Sequence, residues 1–268
     1  MYQSTFYKIG PLAGMYYSNG KKHKTIIVYG IGAPLVPDSG QLPDAPIIMN
    51  YNVDLFVPDY FGYGRSEGRF TPKNCIKTFT YLFEKLKQGA YGVNCYAKKK
   101  RFFQYRRIIF IGKSLGGTYI PLLPRYNQQI KELALFCPVV DSKLCGSIKG
   151  EETNALFLKS MKKDGYHHLY RGINSSVWKK HLENNDDLSP MDNIKYLKDA
   201  RLFIAHGKLD SCVHYSKSVA YYNKLIRWYG SGHQYKIKLY PKGAHDKTTT
   251  NFAVKDFLDW ILSKNFMI

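Results

Sequence analysis

Six short apolar runs punctuate the chain, at 25–29 (TIIVY), 54–58 (DLFVP), 108–111 (IIFI), 133–137 (LALFC), 201–205 (RLFIA) and 235–240 (YKIKLY). Each is rich in β-branched or aromatic residues. A strand covered by helices on both faces buries both of its side-chain rows, so it reads as a nearly continuous apolar run. Between these runs lie stretches with helical spacing. Thr71 can cap a helix with Pro72 in its first position, and Cys75, Ile76, Phe79, Leu82, Phe83 and Leu86 then share one stripe. A second helix is expected over about 216–228. A third is expected over about 250–262, with Phe252, Val254, Phe257, Leu258 and Ile261 on one side. Strand–helix alternation of this kind predicts an α/β fold, with a mainly parallel central sheet and helices on both faces.

Three stretches depart from the alternation. Residues 6–17 pattern as an antiparallel hairpin at the edge of the sheet. Residues 89–104 read as a loop insertion. Residues 142–190 are polar and irregular, with Tyr166 and Trp178 embedded, and are too long for a plain connector between two strands. Long insertions in compact domains are commonly lids or binding loops, so a single domain over 1–268 with a cap-like insertion at about 142–190 is expected.

Composition changes this picture little. The 268 residues suit one large α/β domain. No stretch approaches the ~20 apolar residues of a membrane span. The N-terminus lacks a basic segment followed by an apolar one, so no signal peptide is expected. Five cysteines (Cys75, Cys95, Cys137, Cys145, Cys212) show no CxxC spacing, and an odd number points to reduced thiols in an intracellular, cytoplasmic setting. His167 and His168 are adjacent and cannot share a helical face, so no metal site is expected, and no cofactor is implied. The net charge of +20 suits a Lys- and Tyr-rich composition generally, and nucleic acid is not the expected partner. Lys98, Lys99, Lys100 and Arg101, with Arg106 and Arg107, form the densest basic cluster. It reads as a solvated loop before a strand, with contact to an anionic surface as the sharper alternative.

The chemistry concentrates after the strands. Gly112-Lys113-Ser114-Leu115-Gly116-Gly117 follows one strand and opens a helix. This is the pattern of a nucleophile elbow, in which a strained turn lifts a serine hydroxyl out of the sheet and the glycines avoid clashes with the neighbouring strand and helix. Asp210 follows the strand at 201–205, and His245 follows the strand at 235–240. Both therefore lie beyond strand carboxyl ends, where α/β sheets build their sites. The order Ser, Asp, His is the order the elbow predicts, and the trio supplies nucleophile, orienting acid and base. Asp141 and Asp246 are competing acids, with Asp246 pointing away from its neighbour. His206 is a competing base, read as structural because it sits at the strand end on the acid's own loop. The backbone N–H groups of Ile31, after the first parallel strand, and of Leu115, after the serine, could form an oxyanion hole.

These motifs, with Asp59-Tyr60-Phe61-Gly62-Tyr63-Gly64-Arg65-Ser66-Glu67-Gly68, resemble an α/β-hydrolase over nearly the whole chain. The D-x-x-G-x-G-x-S-x-G loop is similar to that of the monoglyceride-lipase and serine-aminopeptidase-like branches. The resemblance implies a serine hydrolase acting on an ester, thioester or amide, with Ser114, Asp210 and His245 as triad and Ile31 and Leu115 as oxyanion donors. A small-molecule or lipid-like acyl substrate is expected, with ester hydrolysis through an acyl-enzyme as the leading expectation. A peptidase or thioesterase, or a non-catalytic binding protein of the same fold, are the alternatives. Tyr29-Gly30 stands where many relatives have His-Gly, and Lys113 precedes the nucleophile where His, Arg or Gln is common.

Overall fold

The computed structural model describes residues 2–163, 168–232 and 234–263; Tyr166 and His167 lie outside the described residues. In chain order its elements are β1 (Gln3–Ile9), β2 (Leu12–Ser18), β3 (Thr25–Gly30), α1 (Ala45–Ile48), β4 (Asp54–Pro58), α2 (Pro72–Gln88), β5 (Ala90–Asn94), β6 (Lys100–Phe103), β7 (Arg107–Lys113) and α3 (Leu115–Tyr119). They continue with α4 (Leu123–Tyr126), β8 (Glu132–Phe136), α5 (Asn154–Lys163), α6 (Ser175–Leu182), β9 (Arg201–Gly207), α7 (Ser216–Tyr229), β10 (Tyr235–Tyr240) and α8 (Lys247–Ile261). The strands make one sheet in the order β10-β9-β8-β7-β3-β4-β2-β1-β5-β6. The pairs from β10 through β4 are parallel, and those from β4 through β6 are antiparallel. This is the mainly parallel α/β architecture that the alternation predicts, and the α/β-hydrolase fold that the resemblance implies.

All six apolar runs are strands, and the three amphipathic helices form. Thr71 caps α2 by accepting from the Asn74 N–H at 3.2 Å. Asp246 caps α8 and starts it three residues before the expected position. Three expectations need correction. The β1–β2 hairpin is not the sheet edge, because β2 pairs with β4 and β1 with β5. The expected loop at 89–104 is largely the β5–β6 hairpin, which extends the sheet by two strands. Its Lys-rich, weakly apolar sequence belongs to an outermost strand, where charge discourages pairing with another chain. Phe252 is exposed on α8 and stacks on Tyr240 with ring centroids 6.2 Å apart; Ala253 and Thr250 take the buried positions beside Val254 and Phe257.

The basic cluster is partly structural. Arg107 makes a two-pronged ion pair with Glu132, at 2.6 and 2.7 Å, and Arg101 lies over the Tyr16 ring at 4.6 Å. No described helix is long and apolar enough to cross a membrane.

Between β8 and β9 the chain carries α5 and α6, and this segment is bolted to the Asp59–Gly68 loop. Trp178 is fully buried, donates its indole N–H to the Phe70 carbonyl at 3.1 Å and stacks on the Phe70 ring at 5.0 Å. The Arg171 guanidinium donates to the Gly64 carbonyl at 2.6 Å and to that of Ser66. The Arg171 N–H reaches the Gly62 carbonyl and the Phe70 N–H returns to the Arg171 carbonyl, both at 2.7 Å. Within the loop, the Ser66 hydroxyl donates to the Asp59 carbonyl at 2.7 Å, while Asp59 holds Arg65 through three hydrogen bonds. The loop motif is therefore a platform on which the α5–α6 segment stands.

Candidate active site

Ser114 sits between β7 and α3 with φ 52° and ψ −117°, a strained combination for a residue with a Cβ. Neighbouring backbone enforces it. A Cβ on Gly112 would lie 2.5 Å from the Gly116 carbonyl carbon, and one on Gly116 would lie 2.3 Å from the Gly30 oxygen. The helix thus starts hard against β7 and β3, and the serine has nowhere to go but out of the sheet. The Ser114 N–H donates to the Phe136 carbonyl at 2.9 Å, anchoring the turn to β8.

The loops that carry Asp210 and His245 are adjacent and touch. The Leu209 N–H donates to the Gly243 carbonyl at 2.8 Å, and a Cβ on Gly207 would come within 2.3 Å of that same oxygen. Glycine at 207 is what lets the Asp210 loop lie on the His245 loop. Thr249 and Thr248 then brace Ala244, through Thr249 Oγ1 to the Ala244 carbonyl at 2.6 Å and the Ala244 N–H to Thr248 Oγ1 at 2.9 Å. The result is a hydrogen bond from His245 Nδ1 to Asp210 Oδ2 at 2.7 Å.

Asp210 is fully satisfied. Its Oδ1 accepts from the Cys212 and Val213 N–H groups, both at 2.9 Å, and its Oδ2 accepts from His206 Nε2 at 3.1 Å as well as from His245. Burial pushes its pKa up, but the hydrogen bonds from His206 and His245 and the attraction of His245 outweigh it and hold the carboxyl well below the usual carboxylate range. His206 is buried in β9, with Nδ1 on the Ser218 hydroxyl at 2.7 Å and Nε2 also on the Val213 carbonyl at 2.8 Å. Read from sequence as structural, it touches the acid directly.

The competing acids are engaged elsewhere. Asp141 accepts from Asn184 at 2.8 Å, and Asp246 caps α8 through the Thr248 N–H at 2.8 Å. At the expected oxyanion position, Leu115 is the first residue of α3, where an N–H has no intrahelical acceptor. Ile31 follows the last residue of β3, and the Tyr60 hydroxyl donates to its carbonyl at 2.5 Å, fixing that turn. Ser114 Oγ makes no hydrogen bond among the described residues.

Ser114 opens on a cavity of ≈ 40 Å³ whose walls come from Ala33, Leu115 and Val139 on the sheet side and from Phe157, His181 and Leu182 of the α5–α6 segment. Trp178 does not line it; its ring is packing. Cys137, Asp210 and His245 are the group among the described residues whose ligand atoms cluster, within 4.8 Å of one another. The carboxylate and imidazole of that group already bond each other, and burial pushes the Cys137 thiol up, away from the thiolate that binds metals. The five cysteines are free.

The sequence profile of the prolyl oligopeptidase family matches residues 85–265. The chain belongs to the prolyl oligopeptidase family. That profile covers the elbow and the loops that carry Asp210 and His245, and it places the α/β-hydrolase resemblance in one family of serine-hydrolase type. Inactive dipeptidyl peptidase 10 of Mus musculus is 26% identical over 161 residues, 59% of this chain and 17% of that relative, so the chain spans a small part of its length. Among solved structures, the Pyrococcus furiosus esterase Pf2001 superposes with a TM-score of 0.62 at 15% identity, over 97% of this chain and 92% of that one. Est1E from Butyrivibrio proteoclasticus gives 0.63 at 17%, over 97% and 99%. The Pyrococcus horikoshii acylaminoacyl peptidase gives 0.62 at 15%, over 99% of this chain but 41% of that one. At these identities the structural likeness speaks for the fold alone.

Proposed function

We propose that this member of the prolyl oligopeptidase family hydrolyses carboxylic esters through Ser114, His245 and Asp210. The observation that carries the reading is the 2.7 Å bond from His245 Nδ1 to a buried, ionised Asp210, in a chain whose Ser114 is held in a strained elbow. Asp210 keeps the proton on Nδ1, which leaves Nε2 free to take the Ser114 proton as the hydroxyl attacks a carbonyl. The developing oxyanion is received by the N–H groups of Ile31 and Leu115. Loss of the alcohol leaves an acyl-serine, and water, deprotonated by the same imidazole, releases the acid.

A peptidase reading is supported by the family match and by the acylaminoacyl peptidase among the structural neighbours. A non-catalytic reading is supported by the curated relative, whose name calls it inactive. One experiment separates the three. Wild type and Ser114→Ala are labelled with a fluorophosphonate probe, and the wild type is then assayed on matched esters and amides. Labelling lost in Ser114→Ala, with esters turned over faster, supports the proposal. Faster amide turnover moves it to the peptidase. Unlabelled, folded wild type overturns catalysis.

A further inference from the structure

Three segments meet at the end of the sheet opposite Ser114. Residues 22–24 lead into β3, residues 104–106 lead into β7, and α2 ends beside them. Lys22, His23, Lys24, Lys87, Gln104, Tyr105 and Arg106 line a solvent-open groove of ≈ 530 Å³ between these segments. Arg106 precedes β7 and Ser114 follows it, which sets groove and serine about 20 Å apart at ~3.3 Å per residue.

Hydrogen bonds fix the frame of the groove. The Arg106 N–H donates to the Lys24 carbonyl at 3.0 Å, and Lys87 Nζ donates to the Arg106 carbonyl at 2.7 Å. His23 Nε2 is tied to Asn19 Oδ1 at 2.8 Å. At the negative end of α2, the Leu86 carbonyl accepts the Tyr105 N–H at 2.8 Å and the Gln88 carbonyl accepts from Gln104 Nε2 at 3.3 Å. Two of the carbonyls that would repel an anion there are thus already paired. Lys8, Lys238 and Lys255 each hold a carboxylate on the surface. Lys22, Lys24 and Arg106 are exposed and, among the described residues, have no ion pair or side-chain hydrogen bond, and no carboxylate lines the groove.

We infer that this groove binds a compact polyphosphate, a ligand with two or more phosphate groups within a few bonds of one another, free or on a lipid headgroup. Lys22, Lys24, Lys87 and Arg106 are held together by a cross-braced backbone, so their mutual repulsion is built in. A multiply charged anion that several of them reach at once relieves that repulsion, and a phosphate is the group to which lysine and arginine donate best. The groove has the size of a small-molecule site, roughly 300–1,000 Å³. Single-stranded nucleic acid fits it poorly, because such strands stack their bases on exposed aromatic rings. The one aromatic ring of the groove, Tyr105, is buried and its hydroxyl is spent on Asp54 at 2.8 Å.

The test titrates inorganic tripolyphosphate into the whole chain by calorimetry at physiological ionic strength. Wild type is compared with Lys24→Gln/Arg106→Gln and with Lys98→Gln/Lys99→Gln, which loses the same two charges outside the groove. Neither Lys24 nor Arg106 has a side-chain partner to lose, and the Tm of each variant checks its fold. Wild type is expected to bind one tripolyphosphate per chain. The affinity is expected to fall about tenfold in the groove variant, the worth of two exposed charge contacts, and to change by less than about twofold in the other. No binding by wild type overturns the inference. Equal weakening in the two variants also overturns it, because net charge alone then binds the ligand. Given groove-dependent binding, sedimentation with phosphatidylcholine vesicles carrying phosphatidylinositol bisphosphate assigns the source. Sedimentation that the groove variant loses points to a headgroup, and its absence points to a free ligand. The serine takes no part in these readouts, so the inference stands or falls apart from the catalytic reading.

Discussion

Replacing Asp210 by asparagine tests the site at its most constrained point. The carbonyl of the introduced amide can still accept the Cys212 and Val213 N–H groups, so the loop keeps its turn. The amide NH2 then faces His206 Nε2 at 3.1 Å and His245 Nδ1 at 2.7 Å, where an ionised oxygen stood. His206 has its Nε2 proton committed to the Val213 carbonyl, so that contact becomes donor against donor. His245 can answer the amide only by accepting at Nδ1. Its proton then moves to Nε2, the nitrogen that has to take the serine proton. In the protease whose acid was changed in this way the rate falls about 10⁴-fold, equivalent to about 5 kcal/mol of transition-state stabilisation. Two hydrogen bonds to a charged acceptor are lost as well, for about 3 kcal/mol of stability. The fluorophosphonate labelling rate and ester kcat/KM measure the first quantity, and denaturant melts the second. The stability loss has its own pH signature. The folded pKa of Asp210 lies below the unfolded value, so its contribution is complete above about pH 4 and is lost as the pH falls further. The gap between wild type and Asp210→Asn therefore narrows below about pH 4. Asp141→Asn serves as the control. A labelling rate for Asp210→Asn within tenfold of wild type would refute the assignment of the acid.

Three further outcomes follow from the packing. Gly116→Ala puts a Cβ 2.3 Å from the Gly30 oxygen and 3.1 Å from that of Ile31, pushing the turn that carries the proposed oxyanion donor Ile31; on the proposed mechanism, kcat should fall about a hundredfold. Lys217→Met leaves Glu151 buried without its cation and should cost about 3–5 kcal/mol in urea unfolding. Adding Glu151→Leu to it should recover part of that loss, since the unpaired charge is then gone. Trp178→Ala should cost about 3–5 kcal/mol and expose the α5–α6 segment to limited proteolysis ahead of the sheet, because the indole ties that segment to Phe70.

The legible parts of the chain are those in which one local rule dominates. The parallel strands are short and buried on both faces, so burial writes itself directly into runs such as IIFI and RLFIA. The antiparallel side was harder to see. β5 and β6 end the sheet, and neither reads as an apolar run: β5 is AYGVN, and Lys100 and Arg101 of the outermost β6 break its apolar signature while serving the edge. Phe252 shows the converse failure. Helical spacing assigned it to the buried stripe of α8, but that stripe is completed by Thr250, whose hydroxyl donates to Asp44 at 2.6 Å, and a polar residue with a buried partner gives no periodic signal.

The same distinction runs through the site. Ser114, Asp210 and His245 each lie just beyond a strand whose position the hydrogen-bonded ladder dictates, so naming the strands nearly places the side chains. His206 belongs to a strand, and an apolar run absorbs a buried histidine without comment. Its contact with Asp210 appears only when the loop after β9 curls back over its own strand, and that curl is allowed by the close approach of Gly207 to Gly243. The wall that the α5–α6 segment gives the cavity is harder still, because that segment is seated by Trp178 and Arg171 on a loop about a hundred residues earlier. The proposed triad is therefore written locally, strand by strand, while the wall that the α5–α6 segment gives the cavity is written in how one irregular segment is clamped over the strand ends. It follows that substitutions in that clamp, such as Trp178→Ala, should change which substrates are accepted before they change whether Ser114 reacts, and a labelling rate that fell in step with selectivity would argue against that division.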